Sequence, residues 1–431
     1  MIERKRYLDS LIQKRRNGLV KVITGIRRCG KSFLLFNIFY NYMLAEGFKE
    51  DHIILLTLDD IANIRYRNPF QLDEYLKSKI YDDGEYYIFL DEIQKVEAVS
   101  NPYLPSGEKI TFVDVLLSLM KKDNVDIYVT GSNSKMLSSD ILSQFRGRSD
   151  EIRVNPLSYG EFYAAYGKDD KEKAWNEYIT YGGMPYILSL NDSQEKSAYL
   201  KNLFEKVYMK DILERHGLSE ERNICGILLD MISSSIGSLT NPNRLSHLFQ
   251  SIQHVSISPK TISSYLDYFE DSFLIHSAKR YDIKKRKYME TPLKYYFTDV
   301  GLRNARINFR QQEETHLMEN VLFNEPVMRG YDVDVGIVEC SKRDENGNLK
   351  RNQHEVDFVC NQASQRYYIQ SAFALPDEEK RNQKTFAFKK IPDSFRKIVV
   401  VNNDIIPWHD EYGILYIGVK QFLLDENAIN L

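Results

Sequence analysis

The sequence predicts an α/β protein: a parallel sheet carrying a helical lid, then a winged helix, then a second α/β domain. Three observations carry this reading. Four continuous apolar runs of strand length alternate with helical segments over the first 150 residues. A glycine-rich loop stands between the first run and the first long helix. Beyond about residue 220 the pattern changes to short helices and then to mixed strands and helices. At 431 residues the chain is too long for one ordinary core. The expected parts are 1–157 for the sheet, 158–219 for the lid, 220–305 for the winged helix and 306–431 for the last domain.

The apolar runs are LVKVIT (19–24), HIILLTL (52–58), EYYIFL (85–90) and DIYVT (126–130). None alternates apolar with polar residues, as expected of strands covered on both faces by crossover helices. Helical spacing occupies 32–47, 69–80 and 112–122, and the stretch VEAVSNPYLPSGEKIT (96–111) reads as a long surface loop. From Ser158 to about His216 the chain is helical in pattern and rich in aromatics, consistent with a small lid.

Hydrophobic residues make up 43% and charged residues 28%, the balance of a globular protein, and the net charge of -3 supplies no overall basic field. Any nucleic-acid partner must therefore be held by a local patch. Cys29, Cys225, Cys340 and Cys360 form no CxxC pair and have no histidine at zinc-ligand spacing, so free thiols in a reducing compartment are expected. No apolar run approaches the roughly 18 residues of a membrane helix, and MIERKRYLDS has no apolar leader core. A cytoplasmic protein without membrane contact is expected.

Gly25-Ile26-Arg27-Arg28-Cys29-Gly30-Lys31-Ser32 fits GxxxxGK[ST] directly after a strand and at the opening of a helix. Its glycines let backbone N–H groups wrap phosphates, and the helix N-terminus adds its positive dipole end. ATP is the expected ligand, with Lys31 on the β- and γ-phosphates and Ser32 on Mg2+, and with Ile26, Arg27, Arg28, Cys29 and Phe33 in the binding segment. Tyr86 to Glu92 is an apolar strand ending in two carboxylates. Asp91 is expected to hold the magnesium shell and Glu92 to orient and deprotonate the attacking water. After the strand 126–130, Ser132 or Asn133 would sense the γ-phosphate, cap the next helix, or do both. In Phe145-Arg146-Gly147-Arg148-Ser149, Arg148 is the candidate to reach a γ-phosphate in a neighbouring subunit; a surface pair with Glu151 is the alternative.

These residues together resemble the AAA-like P-loop ATPases of bacteria and archaea, related to initiator and STAND-type ATPases, whose members carry a C-terminal domain of unknown function. The resemblance runs over nearly the whole chain, through GIRRCGKS, YIFLDEIQ, VTGSNSKML, FRGRSDEIRVNPLSYGEF, YGGMP, YMKDILERHG and HEVDFV in that order. It implies a five-stranded ASCE core in which Lys31, Ser32, Asp91 and Glu92 take the roles above. It also implies that Gly182, Gly183 and Pro185 form a GxP segment that contacts adenine.

Residues 241–275 place Leu245, Leu248 and Phe249, then Ile262, Leu266 and Phe269, at helical spacing, with Ser258 at an N-cap and Pro259 at the first helical position. The β-like run that follows completes a helix-turn-helix with a wing. The second helix exposes Lys260, Thr261 and Ser264; the wing offers Lys279, Arg280, Lys284, Lys285, Arg286 and Lys287 to phosphates. Docking on a protein surface is the alternative use of such a module.

The last domain carries the outline of a PD-(D/E)XK nuclease. Glu319 lies on a first helix and Glu355 and Asp357 lie in HEVDFV, but Gln370 is followed by Ala372 where the lysine belongs. Lys380 and Lys384 are the downstream lysines that could migrate into its place. A nuclease-like fold that has lost catalysis is expected, with Glu319, Asp357 and Gln370 vestigial. The expected function is Mg-dependent ATP hydrolysis coupled to repositioning of C-terminal domains on DNA or a protein partner, in a possible homo-oligomer. The alternatives are an ATP-dependent DNA nuclease and a non-hydrolysing nucleotide switch or scaffold.

Overall fold

Every residue of strands β1 (Val20–Thr24) and β3 (Tyr86–Asp91) is buried, which is why neither strand alternates in sequence. The computed structural model describes residues 2–103, 107–131, 145, 147–167, 169–218, 220–310, 313–343 and 349–430. They divide into two units, Met1–Pro156 and Leu157–Leu431.

In the first unit β1 and β3 join β2 (Ile53–Thr57), β6 (Val125–Thr130) and β7 (Ser149–Arg153) in a parallel sheet of order β2-β3-β6-β1-β7. The strand 125–130 thus lies between β1 and β3, which brings the P-loop and the acidic strand tip to the same end of the sheet. Val22, Ile88, Leu90 and Val129 pack with Leu72 and Leu76 of α3 (Pro69–Ser78) and with Leu116 and Leu119 of α4 (Phe112–Leu119). A shorter helix, α1 (Lys5–Gln13), precedes the sheet, and α2 runs over 31–45 with its middle, Leu34–Phe39, wound as a π-helix. Phe39 of that segment packs on Phe89 and Tyr128, with ring centroids 5.4 and 5.1 Å away. The loop expected over 96–111 contains two short antiparallel strands, β4 (Val99–Ser100) and β5 (Lys109–Ile110).

The second unit opens with helices α5 (Tyr159–Tyr166), α6 (Lys171–Tyr181), α7 (193–216), α8 (Arg222–Ser234), α9 (Pro242–Leu248) and α10 (Pro259–Asp271). Ser258 caps α10 by accepting from Thr261 N at 3.1 Å, and Pro259 starts it. There follow β8 (Ile275–Asp282), β9 (Lys287–Phe297), α11 (Val300–Arg306), α12 (Glu314–Met328), β10 (Asp332–Arg343), β11 (Leu349–Gln362), β12 (Gln365–Ala372), α13 (Glu378–Thr385), β13 (Arg396–Val401), β14 (Trp408–His409), β15 (Leu415–Gly418) and α14 (Val419–Leu424). These strands form one eight-stranded sheet of order β14-β15-β13-β12-β11-β10-β8-β9.

This corrects the expected boundary at 305. The β8–β9 hairpin, read as the wing of a separate domain, is the edge of the C-terminal sheet, because β8 pairs in parallel with β10 from Val335–Arg280 to Ile337–Asp282. A two-stranded hairpin alone is marginal, and the β10 ladder satisfies the backbone groups its free edge would expose. Among the described residues no helix is long and apolar enough to cross a membrane, and all four cysteines are free thiols.

Candidate nucleotide site and a second charged cluster

Gly25 has φ 132°, and a Cβ there would fall 1.9 Å from Val154 O, so the loop can leave β1 only through glycine. Gly30 (φ 101°) and Arg28 (φ 64°) are also left-handed, turning the chain around a concave run of backbone. Cys29 is buried and its thiol donates to Val154 O at 3.2 Å, while Ile26 is buried beneath the loop. Arg27 is half-buried, Arg28 exposed, and Phe33 is 44% exposed on the first turn of α2. Lys31 is buried, and its ammonium donates to the carbonyls of Gly25 at 2.9 Å and Ile26 at 3.0 Å.

Ser32 Oγ donates to Asp91 Oδ1 at 2.9 Å. The same carboxylate oxygen accepts from the Thr130 hydroxyl, which in turn accepts from Glu92 N at 3.3 Å. Glu92 is left-handed (φ 54°, ψ 45°), a strained conformation for a residue with a side chain, and its carboxylate accepts from the Gln94 amide. A magnesium ion with its retained waters fits this arrangement, since one hydroxyl and one carboxylate already converge at the loop that would hold the phosphates. Thr130 and Gln94 escaped sequence reasoning, which looked past the strand end to Ser132 and Asn133; those two residues lie outside the described ones. The available signal was the hydroxyl of Thr130 at the tip of the strand between β1 and β3.

Arg148 is exposed at the N-terminal edge of β7, where its carbonyl accepts from Val20 N, whereas the P-loop leaves the opposite edge after Thr24. About 13 Å of strand separates the two edges, so within one chain Arg148 and Lys31 are kept apart. Glu151, its alternative partner, accepts from the Thr24 hydroxyl at 2.5 Å.

In the second unit the glycines of YGGMP answer to local packing. A Cβ at Gly182 would lie 2.2 Å from Asp299 Oδ1, and one at Gly183 would lie 2.2 Å from Leu157 O. Gly183 N donates to the buried Asp299 at 2.7 Å. Burial pushes that carboxyl up to about 6 despite backbone N–H donors from Gly183, Leu302 and Gly301. Pro185 opens a short 3-10 turn, Pro185–Ser189.

The basic turn of the hairpin is partly engaged. Lys284 donates to Glu339 O at 2.9 Å, and Lys285 pairs with Asp282 and Glu339. Arg286, Lys287 and Lys260 are exposed.

The structure brings Glu319, Asp357 and Gln370 together. Gln370 Nε2 and Ser371 N donate to Asp357 Oδ2 at 2.7 and 2.8 Å. Ala372 is buried among apolar neighbours. Position 372 supplies no cation, but two other lysines reach the cluster: Lys294 of β9, which the sequence reading did not name, lies 3.0 Å from Glu319 and 2.7 Å from Glu355, and Lys384 of α13 donates to Ser371 O at 3.1 Å. Lys380 stays exposed on the first turn of α13. Tyr296 OH donates to Glu319 at 2.8 Å. Burial and the nearby Glu319 push Asp357 up to about 7, against the pull of Lys294 and Lys384. Burial alone would lower the Lys294 ammonium, but Glu319, Glu355 and Asp357 together hold it above the usual lysine range. These residues do not fit a divalent metal: an ammonium already bridges two of the carboxylates, an amide N–H faces the third, and no group of three or more metal-competent ligands forms among the described residues.

Residues 17–163 match a family described as an AAA domain, and residues 172–313 match a domain of unknown function. An uncharacterized protein of Haemophilus influenzae is 31% identical over 405 residues, covering 93% of both chains. One of Methanocaldococcus jannaschii is 28% identical over 425 residues, covering 94% of this chain and 86% of that one. Among solved structures, the Aeropyrum pernix ORC2 protein, in ADPNP–ADP complexes, is similar at TM-score 0.37 and 13% identity over 70% of this chain and 91% of that one. The chain carries an AAA domain built on a parallel P-loop sheet. It belongs to the same family as the Haemophilus influenzae protein.

Proposed function

We propose that this chain binds ATP with magnesium at the P-loop, hydrolyses it to ADP and phosphate, and uses the nucleotide state to reposition its second unit on DNA or a protein partner. The observation that carries the reading is the convergence of the Ser32 hydroxyl and the Asp91 carboxylate, 2.9 Å apart, beside the loop that holds Lys31. Magnesium, when bound with the nucleotide, would spread the negative charge of the phosphates. Ser32 and Asp91 hold the magnesium shell. Lys31 leaves neutral carbonyl partners for the phosphates, and the backbone from Gly25 to Ser32 donates to them. Glu92 orients water and takes its proton, with Gln94 fixing the carboxylate.

Arg148, exposed at the far edge of the sheet, is proposed to act on a neighbour's nucleotide in a homo-oligomer. Gly182, Gly183 and Pro185 are proposed to meet adenine, and Lys260, Arg286 and Lys287 to meet DNA phosphates. The test is ATP turnover and binding in Glu92→Gln: turnover lost with binding kept is expected. Unchanged turnover would overturn the catalytic assignment, and nucleotide binding surviving Lys31→Ala undiminished would overturn the site.

A further inference from the structure

We infer that the surface where α13 meets β14 and the turn after it binds single-stranded nucleic acid. The inference is independent of the P-loop reading and of the duplex role given to the β8–β9 turn. Residues 380–392, which hold most of α13 and the 3-10 turn Phe388–Lys390, carry Lys380, Arg381, Lys384, Lys389 and Lys390 and no carboxylate, in a chain whose net charge is -3. Three exposed rings stand against this run, each with a cation from it. Arg381 lies 5.4 Å from the ring centroid of Trp408, Lys389 lies 4.3 Å from that of Tyr412, and Lys390 lies 5.6 Å from that of Phe386. The rings are 40%, 57% and 37% exposed.

The pairing of ring and cation decides the kind of partner. An apolar protein face would cover the rings but would strip the cations of their hydration without replacing it. A single strand serves both groups, because its bases present flat faces that stack on rings and its phosphates accept from the cations. A duplex keeps those faces in its own stack and would have to be opened first. The platform is also rigid. Tyr416 of β15 backs Trp408, ring parallel to ring at 4.3 Å, and donates its hydroxyl to Asp410 at 3.2 Å. Asp410 accepts as well from the backbone N–H groups of Tyr412 and Ile414, so this carboxylate is engaged in building the turn. Glu411 beside Tyr412, and Glu378 and Glu379 on the first turn of α13, are exposed and oppose a phosphate at those points. The phosphates are therefore expected along the stretch without carboxylates, at Lys389 and Lys390.

The chain has two tryptophans, and only Trp408 is accessible, since Trp175 is 3% exposed. An oligothymidylate of about 12 nucleotides, titrated onto the full chain with Mg-ADP present to occupy the P-loop, should quench the emission of Trp408. Its duplex with oligodeoxyadenylate should bind at least about ten-fold more weakly. By anisotropy, Trp408→Ala with Tyr412→Ala should weaken single-strand binding by about ten-fold or more, and Trp408→Phe with Tyr412→Phe, which keeps both rings, should restore most of it. Should the alanine pair fail to fold, Lys389→Ala with Lys390→Ala alters exposed positions alone and should lower the slope of log affinity against log salt by about 1.4. An unquenched Trp408 would overturn the inference, as would a duplex bound as tightly as the single strand. So would a salt slope untouched by the lysine pair, which would leave this surface to a protein.

Discussion

Lys31 and Lys294 are both buried, and each lies in a site built around a strand aspartate, Asp91 in one unit and Asp357 in the other. Their partners differ. The ammonium of Lys31 rests on two neutral backbone carbonyls, so its charge stays uncompensated and a phosphate can take it over. That of Lys294 is neutralised by Glu319 and Glu355. The aspartates differ in the same sense. Asp91 accepts from the hydroxyls of Ser32 and Thr130, groups that a magnesium shell can retain or displace. Asp357 accepts from the amide of Gln370 and the backbone of Ser371 and sits near a second carboxylate. A lysine beside an aspartate is therefore no sign of phosphate chemistry until its existing partners are counted.

The largest expected effects separate these two lysines. Lys31→Met should weaken ATP binding by about 100-fold, the worth of a strong charge-assisted contact, and leave the melting temperature nearly unchanged. Lys294→Met should do the reverse. Removing one partner of a buried ion pair costs about 3–5 kcal/mol, because Glu319 and Glu355 are left facing each other, while ATP turnover per folded molecule should hold. Analogue titration and thermal melts on both variants decide it. The contrast breaks if either variant loses both properties together.

Thr130→Val sharpens the comparison from the other side, since it removes the hydroxyl that links Asp91 to the backbone of Glu92. Turnover should fall by about ten-fold or more while ATP affinity moves by less than about three-fold, as when a positioning contact around a metal ligand is lost. Thr130→Ser should restore most of the rate. A loss of affinity as large as the loss of rate would mean that Thr130 only supports the strand.

How legible was all this in the sequence? Four of the five strands in the first unit's sheet were, because apolar runs of that length are hard to place anywhere but in a covered sheet, and the P-loop motif is local; the polar edge strand β7, SDEIR, carries no such run. Thr130 was hidden by its own strand, where a terminal threonine reads as β propensity. The cluster around Asp357 was half legible. Glu319, Asp357 and Gln370 follow a known spacing, but Lys294 comes from a hairpin assigned to another domain, and only the β8–β10 pairing brings it within reach. The wing was misread for the same reason: strand pairing between distant segments leaves no mark on local periodicity.

A smaller effect concerns pH. Asp357 is raised from its ordinary value near 3.8 to about 7 in the folded chain, by burial and by Glu319, with Lys294, Lys384 and Glu355 as its other charged neighbours. The folded state therefore binds this proton more tightly than the unfolded state does. The stability it confers is complete below pH about 4 and is lost as pH rises through about 7. Asp357→Asn keeps an acceptor for Gln370 and Ser371 and should flatten that loss, stabilising the chain at pH 8 by roughly 1–2 kcal/mol. Equal pH slopes for the two chains between about pH 5 and 8 would remove Asp357 from the account.

The weakest effect expected lies at the β8–β9 turn, where the same distinction between engaged and free cations applies. Lys284 and Lys285 are held by Glu339 and Asp282, whereas Arg286 on the turn and Lys287 at the start of β9 are exposed. On the proposed DNA role, Arg286→Ala with Lys287→Ala should reduce the salt dependence of duplex binding by about two charges' worth of counterion release, measured by anisotropy from about 50 to 200 mM salt. Lys284→Ala with Lys285→Ala should reduce it by less, since the Asp282 and Glu339 carboxylates already offset the charge of Lys285 and the Glu339 carbonyl already engages Lys284. A slope unchanged by the first pair would take DNA away from this turn and leave a protein surface as what the nucleotide-driven unit engages.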